Sequence, residues 1–181
     1  YAVINLPSVD GKRKTKWHTL NLEAKKGNKK EAQYRLNQIL DKYNGTAFEG
    51  FTGDEVLSGI DPTRGTELCA VVEQMYSYEE IFAHTGDNKW AERLEVLAFN
   101  ALPATLTEDM WTHQYVQQVN QVACRKTMIM APWSTNGPYA HTFGLEPNFG
   151  CCTANFNQGW PKFALSTFMH KGDTILSSVM M

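Results

Sequence analysis

Glu67-Leu68-Cys69-Ala70-Val71-Val72-Glu73-Gln74-Met75-Tyr76-Ser77-Tyr78-Glu79-Glu80-Ile81-Phe82-Ala83-His84 is the stretch that decides the fold. Leu68, Val71, Val72, Met75 and Phe82 recur at three- and four-residue steps, the period of one helical face. His84-Thr85-Gly86-Asp87-Asn88 reads as a turn. Residues 89–101 then place Trp90, Leu94, Leu97, Ala98 and Ala101 on one face. Together they predict an antiparallel helical hairpin packed through Val72, Met75, Leu94 and Leu97, with Pro103 ending it.

Working outward, residues 28–43 set Tyr34, Leu36, Ile39, Leu40 and Tyr43 among charges and predict an amphipathic helix. Residues 44–66 hold Gly45, Gly50, Gly53, Gly59, Gly65 and Pro62, the composition of a long ordered loop, and long loops between helices are often functional. On the other side, residues 104–150 fit neither period well, and Pro132, Gly137, Pro138, Gly144, Pro147 and Gly150 punctuate them. After Cys152 a new helix is expected, capped by Thr153 and carrying Phe156, Trp160, Phe163, Ala164 and Phe168. Pro161 should kink that helix or sit in its first turn. His170-Lys171-Gly172-Asp173 reads as a turn, and residues 174–181 as the start of a strand. The fold class is therefore mainly α.

Composition sets the outer limits. The chain has 181 residues with 43% hydrophobic and 20% charged, an ordinary globular balance. A net charge of −2 gives no support to nucleic-acid binding. No apolar run reaches the length of a membrane span. Charge is uneven: residues 1–50 hold ten Lys/Arg against five Asp/Glu, and residues 51–181 seven against fourteen. The Lys12-Arg13-Lys14-Thr15-Lys16 run and the Lys25, Lys26, Lys29, Lys30 group read as a solvated loop and a solvated helix face. The chain opens Tyr1-Ala2-Val3 without methionine, as a segment of a longer protein would.

Four cysteines, Cys69, Cys124, Cys151 and Cys152, are too few for a disulfide scaffold. Adjacent cysteines such as Cys151 and Cys152 rarely pair, because the ring is strained. Zinc takes thiolate, imidazole or carboxylate ligands, four in a tetrahedron. Glu67, Cys69, Cys151 and Cys152 would supply that set. Residues i and i+2 do not share a helical face, so Glu67 and Cys69 chelate together only where the helix has barely begun. Spacing alone leaves the plainer alternative open: Cys69 as helix core, and Cys151-Cys152 as small buried residues in a tight turn.

The motifs Gly53-Asp54-Glu55-Val56-Leu57, Asp61-Pro62-Thr63-Arg64-Gly65-Thr66-Glu67-Leu68-Cys69-Ala70-Val71-Val72-Glu73 and Phe149-Gly150-Cys151-Cys152-Thr153-Ala154-Asn155 resemble the beta-L-arabinofuranosidase family, glycoside hydrolase family 127. Residues 86–95 and Asn120-Gln121-Val122 share the likeness, which covers roughly residues 30–181. The resemblance implies an (α/α)6-barrel catalytic domain followed by β-sandwich domains, cleavage of terminal beta-L-arabinofuranosides with retention, and a zinc ion. It implies Glu67, Cys69, Cys151 and Cys152 as zinc ligands, Cys151 as nucleophile and Glu55 as acid/base, with Glu49 as the nearby alternative. Cys124 is left without a role.

On that reading residues 1–29 are an unassigned part of the same domain, residues 30–170 are part of the barrel, and residues 171–181 begin a β-sandwich. Twelve helices with their loops need on the order of 190 residues, so the chain would hold about half a barrel. Glu55 is expected across a cleft from Cys151 at about 5–6 Å, the spacing of a retaining pair. Trp111, Trp133, His113 and His141 are candidates to line a sugar site, with core packing or an exposed loop as each one's plainer reading. The partner would be an arabinofuranose-containing glycan. Two other functions fit the same residues: a non-catalytic helical carbohydrate-binding or assembly subunit with a structural zinc, and a redox protein switching on Cys151-Cys152.

Overall fold

A computed structural model describes residues 2–9, 12–54, 59–127, 131–145 and 149–179, with side chains from His18 onward. The chain opens with an antiparallel hairpin of β1 (Ala2–Val9) and β2 (Lys12–His18), paired from Ala2↔His18 to Leu6↔Lys14. This corrects the solvated loop expected over the Lys12–Lys16 run. Charge reports solvation of side chains and leaves the backbone free to pair when a partner strand is present.

Helix α1 (Lys29–Asn44) follows, as its pattern predicts. Arg35 bonds Glu31 one turn back at 2.7 Å and the Leu20 carbonyl at 2.6 Å, tying the incoming segment to the helix. The described residues between this helix and Thr66 are mostly irregular, with a 3-10 turn at Pro62–Arg64 capped by Asp61.

Strand β3 (Thr66–Glu67) leads directly into α2 (Leu68–Thr85), the centre of the molecule. Its Leu68, Val71, Val72, Met75, Ile81 and Phe82 are all buried. Gly86 ends it in the left-handed region at φ +67°, its N–H donating to the Phe82 carbonyl at 2.7 Å, the conformation that favours glycine. Asp87 then caps α3 (Asn88–Val96) by accepting from the Lys89 N–H at 3.1 Å. The helix widens into a π turn at Leu97–Ala101 and tightens into a 3-10 turn at Pro103–Thr105, where Pro103 has no N–H to continue the ladder. Val72, Met75, Leu94 and Leu97 lie in one core, so the expected hairpin forms through the residues that predicted it. Trp90 fills its far end between the rings of Tyr78 (5.2 Å) and Tyr34 (5.7 Å).

The segment after α3 is loop-rich, and β4 (Val116–Gln117) pairs antiparallel with β3. Helix α4 (Gly150–Leu165) then packs on α2. The two come close at Gly159, where a Cβ would stand 2.9 Å from Leu102 and 3.3 Å from Val72. One expectation about α4 is corrected. It starts at Gly150, three residues before Thr153, because the Cys152 N–H bonds the Phe149 carbonyl at 3.0 Å and closes the first turn there. Of the two places expected for Pro161, it lies inside the helix and not in the first turn, and it cannot donate the bond that would run to the exposed Asn157.

Phe168, expected on the helix face, instead opens β5 (Phe168–Lys171), which forms a hairpin with β6 (Thr174–Ser177). The helix stops because the chain is drawn away: the Ser178 N–H bonds Thr167, and its hydroxyl bonds the Ser166 carbonyl at 2.7 Å. Met169 and Leu176 pack on the core, while Phe168 and Ile175 face outward. Among the described residues no helix is long and apolar enough to cross a membrane.

Candidate metal centre

The starts of α2 and α4 meet. Each delivers two acidic or thiol side chains, and the short β3–β4 ladder sets the first pair. Gly65 precedes β3 at φ +64°, and a Cβ there would come within 2.7 Å of the Gln117 carbonyl, so only glycine lets β3 lie this close to β4. Glu67 is then extended (ψ 141°), while Cys69 is already helical. That change of backbone conformation lets residues two apart point toward one place. The Leu68 N–H donates to the Tyr115 carbonyl at 2.9 Å, which ties the start of the helix to β4.

At the other helix, the Tyr115 ring stacks on Phe149 with centroids 3.8 Å apart. Phe149 immediately precedes α4, so one aromatic contact locates both helix starts. Cys151 and Cys152 fall in the first turn, where the helix dipole favours anions. The Thr153 hydroxyl does not cap the helix and meets His113 Nε2 at 3.3 Å.

The outcome is a group of four. One carboxylate oxygen of Glu67 and the sulfurs of Cys69, Cys151 and Cys152 all lie within 4.8 Å of one another. Cys69 and Cys152 are in direct sulfur–sulfur contact at 3.4 Å, from positions 83 residues apart. Cys152 is buried, Cys69 half-buried and Cys151 exposed. Cys124 stands apart on the surface and accepts from Gln121 at 3.3 Å.

The electrostatics are uneven across the three thiols. The hydrogen bond from Cys152 draws the Cys69 thiol below its ordinary range. Desolvation pushes Cys151 up, and Cys69 and Glu67 add to the push. Cys152 is pushed up by its bond to Cys69, by burial and by the charges of Cys69 and Cys151. One sulfur is thus eased toward ionisation, and the other two are held back from it. A bound dication reverses that opposition, because it supplies the charge that stabilises all the anions together. A carboxylate with three thiols this close is a donor set that fits one metal ion.

Glu55 lies outside the described residues, and with it the expected distance to Cys151. Glu49, the alternative acid, is engaged elsewhere: its carboxylate pairs with Arg93 of α3 at 2.5 Å. The four sugar-site candidates divide. Trp111 is 74% exposed on the loop that His113 closes. Trp133 is half-buried. His113 is buried against Thr153. His141 is fully buried core, bonded to the Val116 carbonyl at 3.0 Å and the Ser134 hydroxyl at 2.9 Å, with burial lowering its basicity. Spacing assigned nothing to Asn155, whose side chain, after that of Cys152, helps to hold the Cys69 thiol below its ordinary range. Its place one helical turn after Cys151 is the signal that could have found it.

Among sequence families, the one described as Beta-L-arabinofuranosidase, GH127 catalytic domain, matches residues 41–165. That span includes α2, α3, α4 and all four clustered residues. No curated protein and no solved structure matches the chain.

Proposed function

Because the chain belongs to the GH127 beta-L-arabinofuranosidase family, a family of glycosidases acting on glycans, we propose that it is catalytic-domain sequence of a retaining hydrolase. Its product is terminal beta-L-arabinofuranose or a similar sugar. The observation that carries this reading is the convergence of Glu67, Cys69, Cys151 and Cys152. In this reading α1–α4 are part of an (α/α)6 barrel, and the hairpin β5–β6 is the first edge of a β-sandwich.

Glu67, Cys69, Cys151 and Cys152 hold zinc. Bound there, zinc supplies the positive charge that keeps the sulfurs deprotonated. The exposure of Cys151 supports its role as nucleophile, since a sugar can reach it, whereas Cys152 is buried and serves only as ligand. The Cys151 sulfur attacks the anomeric carbon as Glu55 protonates the departing glycosidic oxygen. A glycosyl–sulfur bond forms and the glycosidic C–O bond breaks. Glu55, now a carboxylate, takes a proton from water, whose oxygen attacks the same carbon. The Cys151–carbon bond breaks, and two inversions give retention.

The deciding experiment gives the intact protein an aryl beta-L-arabinofuranoside and measures its metal content in parallel. Turnover with stoichiometric zinc is expected. Zinc without turnover would leave a structural metal site in a non-catalytic protein. Absence of bound metal, with reversible cysteine oxidation, would favour the redox alternative.

A further inference from the structure

On the premise that Glu55 is the acid/base, as read above, we propose that Asn136 is a positioning residue for the reaction, because its amide ties Asp54 to Arg64 and so sets the two ends of the segment that includes Glu55. The Asn136 Nδ2 donates to the Asp54 carboxylate at 2.9 Å and to the Arg64 carbonyl at 2.9 Å, across 82 and 72 residues of chain. Both partners only accept, and the Asn136 Oδ1 meets the Ser134 hydroxyl at 3.1 Å, so the sense of the amide is fixed. Ser134 is itself held. It is buried, accepts from the Asn136 backbone N–H at 3.2 Å and meets His141 Nε2 at 2.9 Å. The fully buried His141 bonds the Val116 carbonyl of β4 through Nδ1 at 3.0 Å. The Asn136 side chain thus stands on the β3–β4 ladder that sets Glu67.

The main chain converges on the same place. Gly53 donates to the Gly65 carbonyl at 3.0 Å, and its own carbonyl accepts from the Glu67 N–H at 3.1 Å. These backbone bonds tie the segment to β3 as far as Gly53. Asn136 carries the tie one residue further, to the residue covalently bonded to Glu55. At the other end the Thr63 carbonyl accepts from the Gln118 side chain at 2.7 Å and from the Thr135 N–H at 3.3 Å, and Asn136 holds Arg64. An acid/base must protonate the leaving oxygen and then deprotonate water at one carbon. A misplacement of about 1 Å costs such a group on the order of a hundredfold. Asn136 is also neutral. Its amide anchors Asp54 without adding a cation, which would favour loss of the proton from a nearby acid.

The test compares kcat/KM of the intact protein on two beta-L-arabinofuranosides, one with a dinitrophenyl leaving group and one with a simple alkyl group. The first leaves without protonation, and the second needs it. Asn136→Asp replaces the donor with a second carboxylate facing Asp54, and Asn136→Ala removes it. Both should lower kcat/KM on the alkyl glycoside by about a hundredfold, and on the dinitrophenyl glycoside by less than about threefold. Asp54→Asn combined with Asn136→Asp exchanges donor and acceptor across the same contact. It should recover at least about tenfold on the alkyl glycoside over Asn136→Asp alone. Thermal melting shows which variants are folded at the assay temperature, and Asn136→Ala supplies the same ratio if Asn136→Asp is not. A merely structural role lowers both substrates together and gives no rescue, and that result overturns the proposal, as does unchanged activity. Glu55→Gln, run beside them, separates the two readings. If it shows the leaving-group dependence and the Asn136 variants do not, the positioning role alone fails. If Glu55→Gln shows none, the acid/base reading fails and takes this one with it.

Discussion

The molecule gathers acids in two places and treats them in opposite ways. Around Arg93, Asp41 and Glu49 are neutralised by the protein itself. The guanidinium pairs with Asp41 at 2.8 Å and Glu49 at 2.5 Å, and lies over the Trp90 ring. Burial works against the Arg93 charge, but Asp41, Tyr78 and Glu49 outweigh it. The backbone is fitted to the pairing too. Glu49 sits at φ +67°, and its carbonyl accepts from Tyr78 at 3.0 Å and Gln74 at 3.2 Å. At the starts of α2 and α4, Glu67 and three thiols converge instead on one another; desolvation raises Cys151, the bond to Cys69 raises Cys152, and neighbouring charges add to both. The first cluster is finished by folding. The second is a donor set that could hold one metal ion.

The hardest test of that contrast is chemical. If Cys151 is the proposed nucleophile, Cys151→Ser in the intact protein should lower hydrolysis by at least about a thousandfold, roughly 4 kcal/mol of barrier. Glu55→Gln should leave the zinc in place and let a covalent adduct on Cys151 accumulate, visible by mass spectrometry. Normal turnover by Cys151→Ser would return the cluster to a structural role.

Metal removal comes next. If the cluster binds zinc, chelation should lower the unfolding free energy by about 2.7 kcal/mol relative to protein with metal at a hundredfold excess over its dissociation constant. Thermal melting with and without chelator measures this, and unchanged melting after the bound metal has been removed would break the comparison.

Arg93→Met makes the reciprocal change. It strands Asp41 and Glu49, which are only partly buried, so a loss of about 1–2 kcal/mol in denaturant unfolding is expected, with zinc content untouched. A fall in bound zinc in this variant would mean that the two clusters are coupled.

The smallest effect sharpens the comparison at a third acid. Glu79 is 4% exposed and accepts from the Ser166 hydroxyl at 2.9 Å. Burial raises its carboxyl above the ordinary range, outweighing Ser166 and Lys162. A raised carboxyl costs stability above its unfolded value and returns it as pH falls through the folded value. Glu79→Gln should therefore gain up to about 1 kcal/mol at pH 7. The gain should fade in acid, as the wild-type carboxyl takes its proton. Urea unfolding at pH 7 and pH 4 measures both, and a gain that grows in acid would reverse the assigned sign.

By itself the sequence determined what depends on neighbours along the chain. The spacing of Leu68 through Phe82 and of Trp90 through Ala101 specifies α2 and α3, because helical period and burial are the same information there. Gly86 and Asp87 likewise place the break between them, through φ > 0 and an N-cap. The chemical types that meet at the cluster were legible as motifs. Their meeting was decided by the tertiary structure. The approach of Cys69 to Cys152 depends on the β3–β4 ladder, on Gly65 and Gly159 allowing close contact, and on Tyr115 stacking against Phe149. None of these leaves a periodic trace, since each joins residues far apart in the chain. The same holds for β2, whose charged run conceals a pairing partner, and for Phe168, which continues a helical spacing beyond the point where Ser178 pulls the backbone into a strand. Local period fixes which face of an element is apolar, but long-range packing and hydrogen bonding fix where that element stops and what its polar side chains meet.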